Sequence, residues 1–213
     1  MTLDTQSLRL LFTEWARVML ANKSVLMVLD SVVGDGDLGL TMSDGFAAAE
    51  RTVQHSDETD VGRFFYQAGK AMASAVPSTM GTLMASGLMQ AGNVFKGRET
   101  MALADTGAFF EAWYAGVQQR GKAQPGEKTF LDGMAPALAA LRADDEPLAA
   151  AREALLQAQQ GVEQTTTMVA KHGRAAIHGE RSRAFADPGA MVAQLLMQGY
   201  FNFVQAICPA DGQ

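Results

Sequence analysis

The sequence is short of cysteine, of long apolar runs and of positive charge, and each shortage excludes a class of protein. Cys208 is the single cysteine among 213 residues, so an intramolecular disulfide cannot form and no oxidising compartment is implied. No run of about 18 uncharged apolar residues is present, and the first residues lack the positive and apolar regions of a signal peptide. We therefore expect a cytoplasmic protein that does not contact a membrane.

The charge balance is acidic, with a formal net charge of −6. Proteins that bind nucleic acid carry a basic face, and no stretch of this chain supplies one, so we expect no nucleic-acid partner. A P-loop run and a strand-borne glycine loop are both missing, and no serine lies on a recognisable nucleophile elbow. Because no basic face is present, any bound nucleotide should be a small one, with metal ions to neutralise its phosphates.

Apolar residues make up 48% of the chain and charged residues 19%, which is enough for a buried core in a single domain over residues 1–213. Apolar positions recur at helical spacing almost throughout, and no segment of useful length alternates apolar and polar residues as a strand does. We therefore predict an all-α fold, an antiparallel eight-helix bundle or barrel with short connections. The predicted helices cover about 8–19, 43–55, 61–75, 82–95, 106–119, 129 or 132 to 141, 147–171 and 188–203.

Glycines and charged residues concentrate in the breaks between these helices, where we expect the functional residues. Ser43 is the expected N-cap of the second helix. Pro147 and Pro188 are well placed as the first residues of the last two helices. The four breaks cover residues 34–39, 76–81, 120–128 and 173–189.

Three aspartates at the first break are candidate metal ligands. Asp35 and Asp37 point to the same side of an extended turn, because side chains alternate at a spacing of two, and Asp30 can reach the same place from the end of the first helix. Crowded together without a nearby Lys or Arg, the three carboxylates should repel one another, and Mg²⁺ or Ca²⁺ would remove that cost. The alternative is an Asx-type turn with solvated acids that cap the neighbouring helices. Because Mg²⁺ commonly shares its coordination with phosphates, a nucleotide is the expected third component.

The other three breaks each allow a binding and a structural interpretation. Ser78, Thr79 and the amides that follow can hold an anion or cap a helix. The break at 120–128 is basic enough to lie over phosphates, or it is a solvated loop. The break at 173–189 is dense in charge and glycine, which favours a binding loop or lid over a plain connector. The histidines show no metal-ligand spacing, and His172 is expected to be a polar or helix-terminal residue rather than a catalytic one.

Three stretches in the breaks form a set of motifs. They are Leu29-Asp-Ser-Val-Val-Gly-Asp-Gly-Asp-Leu-Gly, Pro125-Gly-Glu-Lys-Thr-Phe-Leu-Asp, and Gly173-Arg-Ala through Gly179-Glu-Arg-Ser to Asp187-Pro-Gly-Ala. In this order and at these separations they resemble the nucleotide-binding L subunit of dihydroxyacetone kinase. That family is also found as the C-terminal domain of single-chain dihydroxyacetone kinases, and the resemblance spans nearly the whole chain.

The resemblance implies an eight-helix barrel that binds ADP or ATP through two Mg²⁺ ions at one end. Asp30, Asp35 and Asp37 match the aspartates that bridge the ions to the phosphates, and they are the implied catalytic residues and metal ligands. Further nucleotide contacts are implied in all four breaks or directly after them. These are Leu38, Gly39, Leu40, Thr41, Ser78, Thr79, Gly121, Phe130, Arg174, Asp187, Pro188 and Gly189.

The resemblance also implies a kinase that acts with a partner. A separate K subunit binds the ketose, and this chain has no region that resembles it. The implied reaction moves the γ-phosphoryl group of ATP to a hydroxyl of dihydroxyacetone or a related small ketose. In one branch of the family a phosphotransferase-system protein rephosphorylates bound ADP, and in the other ATP and ADP exchange with solvent.

Two positions depart from the common pattern of the family, since Leu38 and Thr41 stand where many members have His and Asn. The identity of the ketose is therefore open. The alternative function is a non-catalytic, nucleotide-bound adaptor that docks on a regulator. A third is a related kinase subunit that acts on a fatty acid or another sugar.

Overall fold

A computed structural model describes residues 1–144 and 146–208, and its long elements are all α-helices, as predicted. None of the helices in this described part is long and apolar enough to cross a bilayer. The helices are α1 (Thr5–Ala21), α2 (Lys23–Val33), α3 (Leu38–Gln54), α4 (Val61–Ala75), α5 (Thr79–Val94), α6 (Thr106–Gly121), α7 (Phe130–Ala143), α8 (Pro147–Thr165) and α9 (Pro188–Ile207).

Eight of these helices close into a ring. α1 packs on α3, each helix from α3 to α8 packs on the next, and α9 returns to α1. Short connections make consecutive helices run antiparallel. α2 lies outside the ring, where it contacts mainly α3 and α9. The predicted eight-helix barrel is therefore confirmed, with α2 as an additional helix.

Aromatic side chains fill the centre of the ring. Trp15 of α1 is fully buried, and its Nε1 donates to the Leu196 carbonyl oxygen of α9 at 3.0 Å. A Cβ on Gly199 would lie 2.4 Å from Trp15 Cδ1, so the indole packs on α9 at a distance that only glycine allows. A dense core of this kind holds the helix ends at fixed separations. Other buried aromatic residues are Phe12, Phe46, Phe64, Phe65, Phe95, Phe109, Phe110, Trp113, Tyr200 and Phe203.

The first helix differs from the prediction. The sequence pattern places Asp30 at the end of a single first helix, whereas the structure ends α1 at Ala21 and starts α2 at Lys23. Asn22 lies at the break, and its Nδ2 donates to the Val18 carbonyl oxygen at 2.9 Å. Such local side-chain bonds compete with the helical pattern. Asp30 therefore belongs to a separate short helix that can be set at its own angle.

Two other helix boundaries also differ. α3 begins at Leu38, and Asp37 rather than Ser43 is its N-cap residue, because the Asp37 carbonyl oxygen already accepts a helical hydrogen bond at 2.9 Å. α8 ends at Thr165 instead of continuing to Lys171. From Thr165 onward, three consecutive threonine hydroxyls each donate to the carbonyl oxygen three residues earlier, which favours a turn over a continued helix.

The expectation that no strand is present is wrong for two very short segments. β1 (Thr2–Asp4) and β2 (Thr100–Ala102) form an antiparallel pair in which Leu3 lies opposite Met101. Each strand has three residues, too few for alternation to be visible in a sequence.

The predicted caps of the later helices are confirmed. Thr129 is the N-cap of α7 and forms a capping box with Asp132, which satisfies two otherwise unpaired amides. Pro147 and Pro188 are the first residues of α8 and α9, where a missing N–H costs nothing. The starts of α7 and α9, both important for the site, are thus fixed locally by the sequence.

Candidate metal and nucleotide site

A cleft opens at the end of the barrel where α5, α7 and α9 begin and where α2 and α6 end. It consists of two adjoining cavities of about 480 and 650 Å³, which share residues 77–80 and 172–173 as walls. Asp187 and Gly189 border both cavities as well. The first cavity contains a group of acidic side chains, and the second has mainly apolar walls. The cleft therefore has a polar end and an apolar end.

Asp30, Asp35 and Asp37 come together at the polar end. Asp30 lies in the last turn of α2, Asp35 in the following turn, and Asp37 at the N-cap of α3. One carboxylate oxygen of each lies within 4.8 Å of the other two. Gly36 allows the tight turn because its φ is 76°. Asp30 Oδ2 accepts a hydrogen bond from the Leu38 N–H at 3.2 Å, so the capping alternative is confirmed for Asp30, whereas the side chain of Asp37 makes no capping hydrogen bond to α3.

Burial, repulsion between the carboxylates and the charge of one arginine shift the pKa values of Asp35 and Asp37 in opposite directions. Burial raises the pKa of Asp37, and the neighbouring carboxylates of Asp35 and Asp30 raise it further. Burial also acts to raise the pKa of Asp35, but its backbone hydrogen bond and the charge of Arg174 outweigh that effect and bring the pKa below its ordinary value. Arg174 forms an ion pair with Asp35. The expectation of carboxylates without a basic neighbour is thus wrong, since the fold brings Arg174 in from a distant break.

The cluster fits a hard divalent cation. All three groups are carboxylates, the oxygen donors that Mg²⁺ prefers. In an octahedral Mg²⁺ site with bonds of about 2.1 Å, opposite ligands lie about 4.2 Å apart, close to the 4.8 Å that bounds this cluster. The side chains are half-buried or exposed, so water or phosphate oxygens have room to complete the coordination.

The N-termini of α5 and α9 lie beside the acidic cluster. Ser78 caps α5 by accepting a hydrogen bond from the Gly81 N–H at 3.0 Å, so the capping interpretation of this break is confirmed. Thr79 follows as the first residue of α5, and Pro188 opens α9 after its cap residue Asp187. The first amides of a helix lack partners within it and carry its positive end. Two such ends at one cavity wall suit a group of phosphates.

The second cavity is lined by residues from the end of α6 and the start of α7. Phe130 is the first residue of α7 and Gly121 is the last residue of α6, so helix ends set the position of both. Arg120 and Thr129 add polar groups to the lining. Further apolar lining comes from Pro77, Met80, Leu83, Val117, Ala123 and Leu131.

The segment Arg174–Ala184 forms the side of the cleft next to α2. It consists of 3-10 turns interrupted at Gly179. Ser182 is fully buried, and its Oγ accepts a hydrogen bond from the Ala170 N–H at 2.9 Å and donates to the Gly179 carbonyl oxygen at 2.6 Å. The segment is therefore an ordered wall anchored from inside, and it presents Arg174 to the acidic cluster.

The third break is held to the residues that directly precede the fourth break. His172 Nε2 lies 2.5 Å from Glu127 Oε2, and Lys171 Nζ lies 3.7 Å from Glu127 Oε1. The bond to His172 is the main cause that holds the pKa of Glu127 below its ordinary value. Glu127 of the third break is thus bound to the two residues that precede the fourth break, and His172 has a polar structural contact of the kind expected.

Three candidate residues lie outside the two cavities. Gly39, Leu40 and Thr41 form the first turn of α3, but neither cavity is lined by them. A Cβ on Gly39 would lie 2.1 Å from the Lys23 carbonyl oxygen, so this glycine permits close packing of α3 on α2. Leu38 of the same turn does border the acidic cavity. Contacts of the other three with a nucleotide stay a prediction.

Several lining residues were not among the candidates. Val33, Pro77 and Met80 border the acidic cavity as hydrophobic neighbours of candidate residues, and nothing in their type marks them in a sequence. Lys128 borders the second cavity although it is only 2% exposed. Its position inside the second motif is the one signal by which it can be found from sequence.

Comparison with protein families matches residues 32–202 to the DAK2 domain. The chain is 32% identical over 174 residues to the protein named PEP-dependent dihydroxyacetone kinase, ADP-binding subunit DhaL, of Escherichia coli strain K12, a match that covers 80% of this chain and 83% of that protein. It is 34% identical over 184 residues to the L-erythrulose 1-kinase of Mycolicibacterium smegmatis, covering 83% of this chain but 32% of that protein.

Among solved structures, the dihydroxyacetone kinase from C. freundii in complex with AMP-PNP and Mg²⁺ matches with a TM-score of 0.67 at 22% identity. The match covers 93% of this chain and 33% of that chain. At this identity the likeness shows a shared fold. The chain thus spans most of one bacterial relative and about a third of the longer kinases.

Proposed function

The chain belongs to the DAK2 domain family, and we propose that it is the nucleotide-binding subunit of a kinase for dihydroxyacetone or a related small ketose. Its relatives are named as dihydroxyacetone and erythrulose kinases, which are phosphotransferases with an alcohol group as acceptor. The relative from E. coli is named as an ADP-binding subunit. ADP or ATP is therefore the proposed nucleotide.

The observation that carries the proposal is the carboxylate cluster at the polar end of a two-part cleft. Asp30, Asp35 and Asp37 lie within 4.8 Å of one another and would hold two Mg²⁺ ions, which neutralise charge on the β- and γ-phosphates in phosphoryl transfer. The apolar end of the same cleft has space for a base. A nucleoside di- or triphosphate has the same two parts, since its charged phosphates would bind the metal ions at the acidic end and its base would occupy the apolar end.

The chain's own groups would orient the nucleotide. The amides that follow Ser78 and Thr79 at the start of α5 would hold phosphate oxygens. The Arg174 guanidinium, already paired with Asp35, would add a charge-assisted hydrogen bond to them. Phe130 and Gly121 would border the base. Further proposed contacts are Leu38, Gly39, Leu40, Thr41, Asp187, Pro188 and Gly189, all from turns at this end of the barrel.

The acceptor would be held by a partner, the K subunit. The E. coli relative is named as one subunit of its kinase, and the L-erythrulose 1-kinase is about three times as long as the part that matches this chain. In both arrangements the DAK2 domain works alongside further protein. Residues 1–213 would act as one nucleotide-binding domain, and the K subunit would supply the groups around the ketose hydroxyl, so no general base is assigned to this chain.

Two routes for renewing the nucleotide make different predictions. If a phosphotransferase-system donor subunit rephosphorylates ADP in place, ADP should remain bound at close to one equivalent after gel filtration. If ATP and ADP exchange with solvent, gel filtration should remove the nucleotide and added ATP should support repeated turnover. Measuring bound nucleotide and turnover on the same preparation separates the routes.

The central test removes the metal ligands. Asp35→Asn and Asp37→Asn should each weaken Mg·ADP binding, measured by calorimetry, by more than about tenfold. Asp57→Asn, which makes the same charge change at an exposed position after α3, serves as the control and should bind as the wild type does. Unchanged affinity in the two site variants would remove the basis of the proposal.

Turnover separates the kinase from the adaptor. Mixing the protein with its K partner, ATP and dihydroxyacetone or erythrulose should give a phosphorylated ketose. A protein that binds Mg·ADP but gives no product across several small ketoses would be an adaptor instead. The metal-ligand variants should give no product in either case, so they provide the background rate.

A further inference from the structure

A buried lysine lies at the junction of the segments that form the cleft. Lys128 is 2% exposed and directly precedes Thr129, the cap of α7. Its Nζ donates to the carbonyl oxygens of Thr165 and Phe185, each at 2.5 Å. Thr165 is the last residue of α8, and Phe185 directly follows the Arg174–Ala184 segment. One ammonium group thus joins three parts of the chain that are far apart in sequence.

The start of α9 is tied into the same junction. Thr165 Oγ1 accepts a hydrogen bond from the Asp187 N–H at 2.9 Å and donates to the Val162 carbonyl oxygen at 2.6 Å. Asp187 Oδ2 in turn accepts from the Ala190 N–H at 2.8 Å and so caps α9. Thr165 is fully buried and Asp187 is 7% exposed, so water competes little for these bonds.

A lysine at a buried, purely structural position carries an unfavourable desolvation free energy. Burying an ammonium group costs free energy unless hydrogen bonds replace its water, and burial is the main reason why the pKa of Lys128 lies below its ordinary value. The backbone of Lys128 is also left-handed, with a φ of 62°, which is unfavourable for a residue with a Cβ. Strain of this type persists where surrounding structure demands it, commonly at functional sites. An apolar side chain would avoid the desolvation but could not bridge two carbonyl oxygens.

We propose that Lys128 is a positioning residue for the nucleotide: its ammonium group holds the Arg174–Ala184 segment and the start of α9 against α7. Arg174 lies on the side of the cleft proposed to bind the phosphates, and Phe130 lies on the side proposed to bind the base. The Lys128 bridge thereby keeps these two walls of the cleft at the separation that one nucleotide spans. Without the bridge, the carbonyl oxygens of Thr165 and Phe185 lose their shared donor and the two walls can part. The inference rests on the proposed function, because the ligand that it concerns is the nucleotide.

Lys128→Met keeps an unbranched side chain of nearly the same length and removes the charge and the donors. The folded variant should bind Mg·ADP at least tenfold more weakly by calorimetry. Amides of the Arg174–Ala184 segment and the following residues up to Gly189 should exchange hydrogen faster, by mass spectrometry, at a temperature where the barrel stays folded. If this variant does not fold, Lys128→Gln, which keeps two N–H donors on a shorter side chain, should show the same effects.

A matched control separates positioning from general stability. Gly199→Ala, which crowds Trp15 in the core away from the cleft, should lower the stability of the barrel yet leave Mg·ADP affinity unchanged. If Lys128→Met binds Mg·ADP as tightly as the wild type while it is folded, Lys128 is only a structural residue and the inference is wrong. Equal losses of affinity in the Lys128 and Gly199 variants would overturn it as well.

The outcome for Lys128 can be told apart from the outcome for the proposed function. If the wild-type protein itself does not bind Mg·ADP, the proposed function fails. The hydrogen-exchange comparison then decides whether the Lys128 bridge holds the two walls together, and unchanged exchange in the 174–189 region would reject the bridge too.

Discussion

The buried carboxyl of Asp187 should make the stability of the barrel depend on pH in the neutral range. Burial raises its pKa from 3.8 to about 7, and the opposing effects of the Ala190 hydrogen bond and the Lys128 charge are smaller. An acid with a raised pKa binds its proton more tightly in the folded state than in the unfolded state. Its contribution to stability is therefore complete below about pH 4 and is lost as the pH rises through the folded pKa of about 7.

The magnitude follows from the two pKa values. With 3.8 for the unfolded chain and about 7 for the folded protein, proton linkage gives a loss of about 2.5 kcal/mol between pH 5 and pH 8. Asp187→Asn keeps a side-chain oxygen that can cap α9 but cannot titrate. The free energy of unfolding of the variant, relative to the wild type, should therefore rise by about 2.5 kcal/mol over this range.

Urea denaturation at several values between pH 5 and pH 8 measures this difference. Trp15 and Trp113 are both fully buried, so their fluorescence reports the loss of the core. Asp57→Asn, at an exposed site, is the control and should track the wild type at every pH. If the wild type and Asp187→Asn differ by the same amount at all pH values, within about 0.5 kcal/mol, then Asp187 is ionised throughout and the reasoning from burial is refuted.

Three further predictions concern the core, a helix cap and the polar end of the cleft. Gly199→Ala should lower the free energy of unfolding by about 1–3 kcal/mol through overpacking. Gly107→Ala is the control, because nothing lies within 4 Å of the added Cβ, and it should not lower the free energy of unfolding. Equal effects of the two substitutions in urea denaturation would contradict this prediction. Thr129→Ala removes the cap of α7 and should cost about 1 kcal/mol, seen as a lower urea midpoint. Arg174→Gln should weaken Mg·ADP binding, measured by calorimetry, about tenfold or more through loss of a charged hydrogen bond. The control Arg181→Gln, at an exposed position of the same segment, should leave the affinity unchanged.

Local signals in the sequence account for much of the helix framework. Thr129 and Pro188 are recognisable as helix starts because a cap or a proline acts within one turn of chain. The break at Asn22 and the end of α8 at Thr165 were not predicted. There, side-chain hydrogen bonds to the chain's own backbone outweigh an apolar pattern that continues through them.

Some features of the candidate site were likewise predictable from the sequence and others were not. The spacing of Asp35 and Asp37, with Asp30 close before them, was enough to predict that the three carboxylates meet. The partner of Asp35 could not be predicted, since Arg174 is brought to it only when the fourth break folds against α2. Gly39 shows the converse case, because a glycine in a binding motif proves to pack against α2.

The sequence by itself determined the all-α class, the breaks that hold the polar residues and the three acidic groups of the cluster. These depend on periodicity, capping and short spacings, which act within a few residues of chain. Only the tertiary structure decided that α2 stands outside an eight-helix ring, that the cleft has an apolar end, and that Lys128 bridges Thr165 and Phe185. Those features depend on contacts between residues tens of positions apart, and which of many polar groups are buried together is settled only when the whole ring closes.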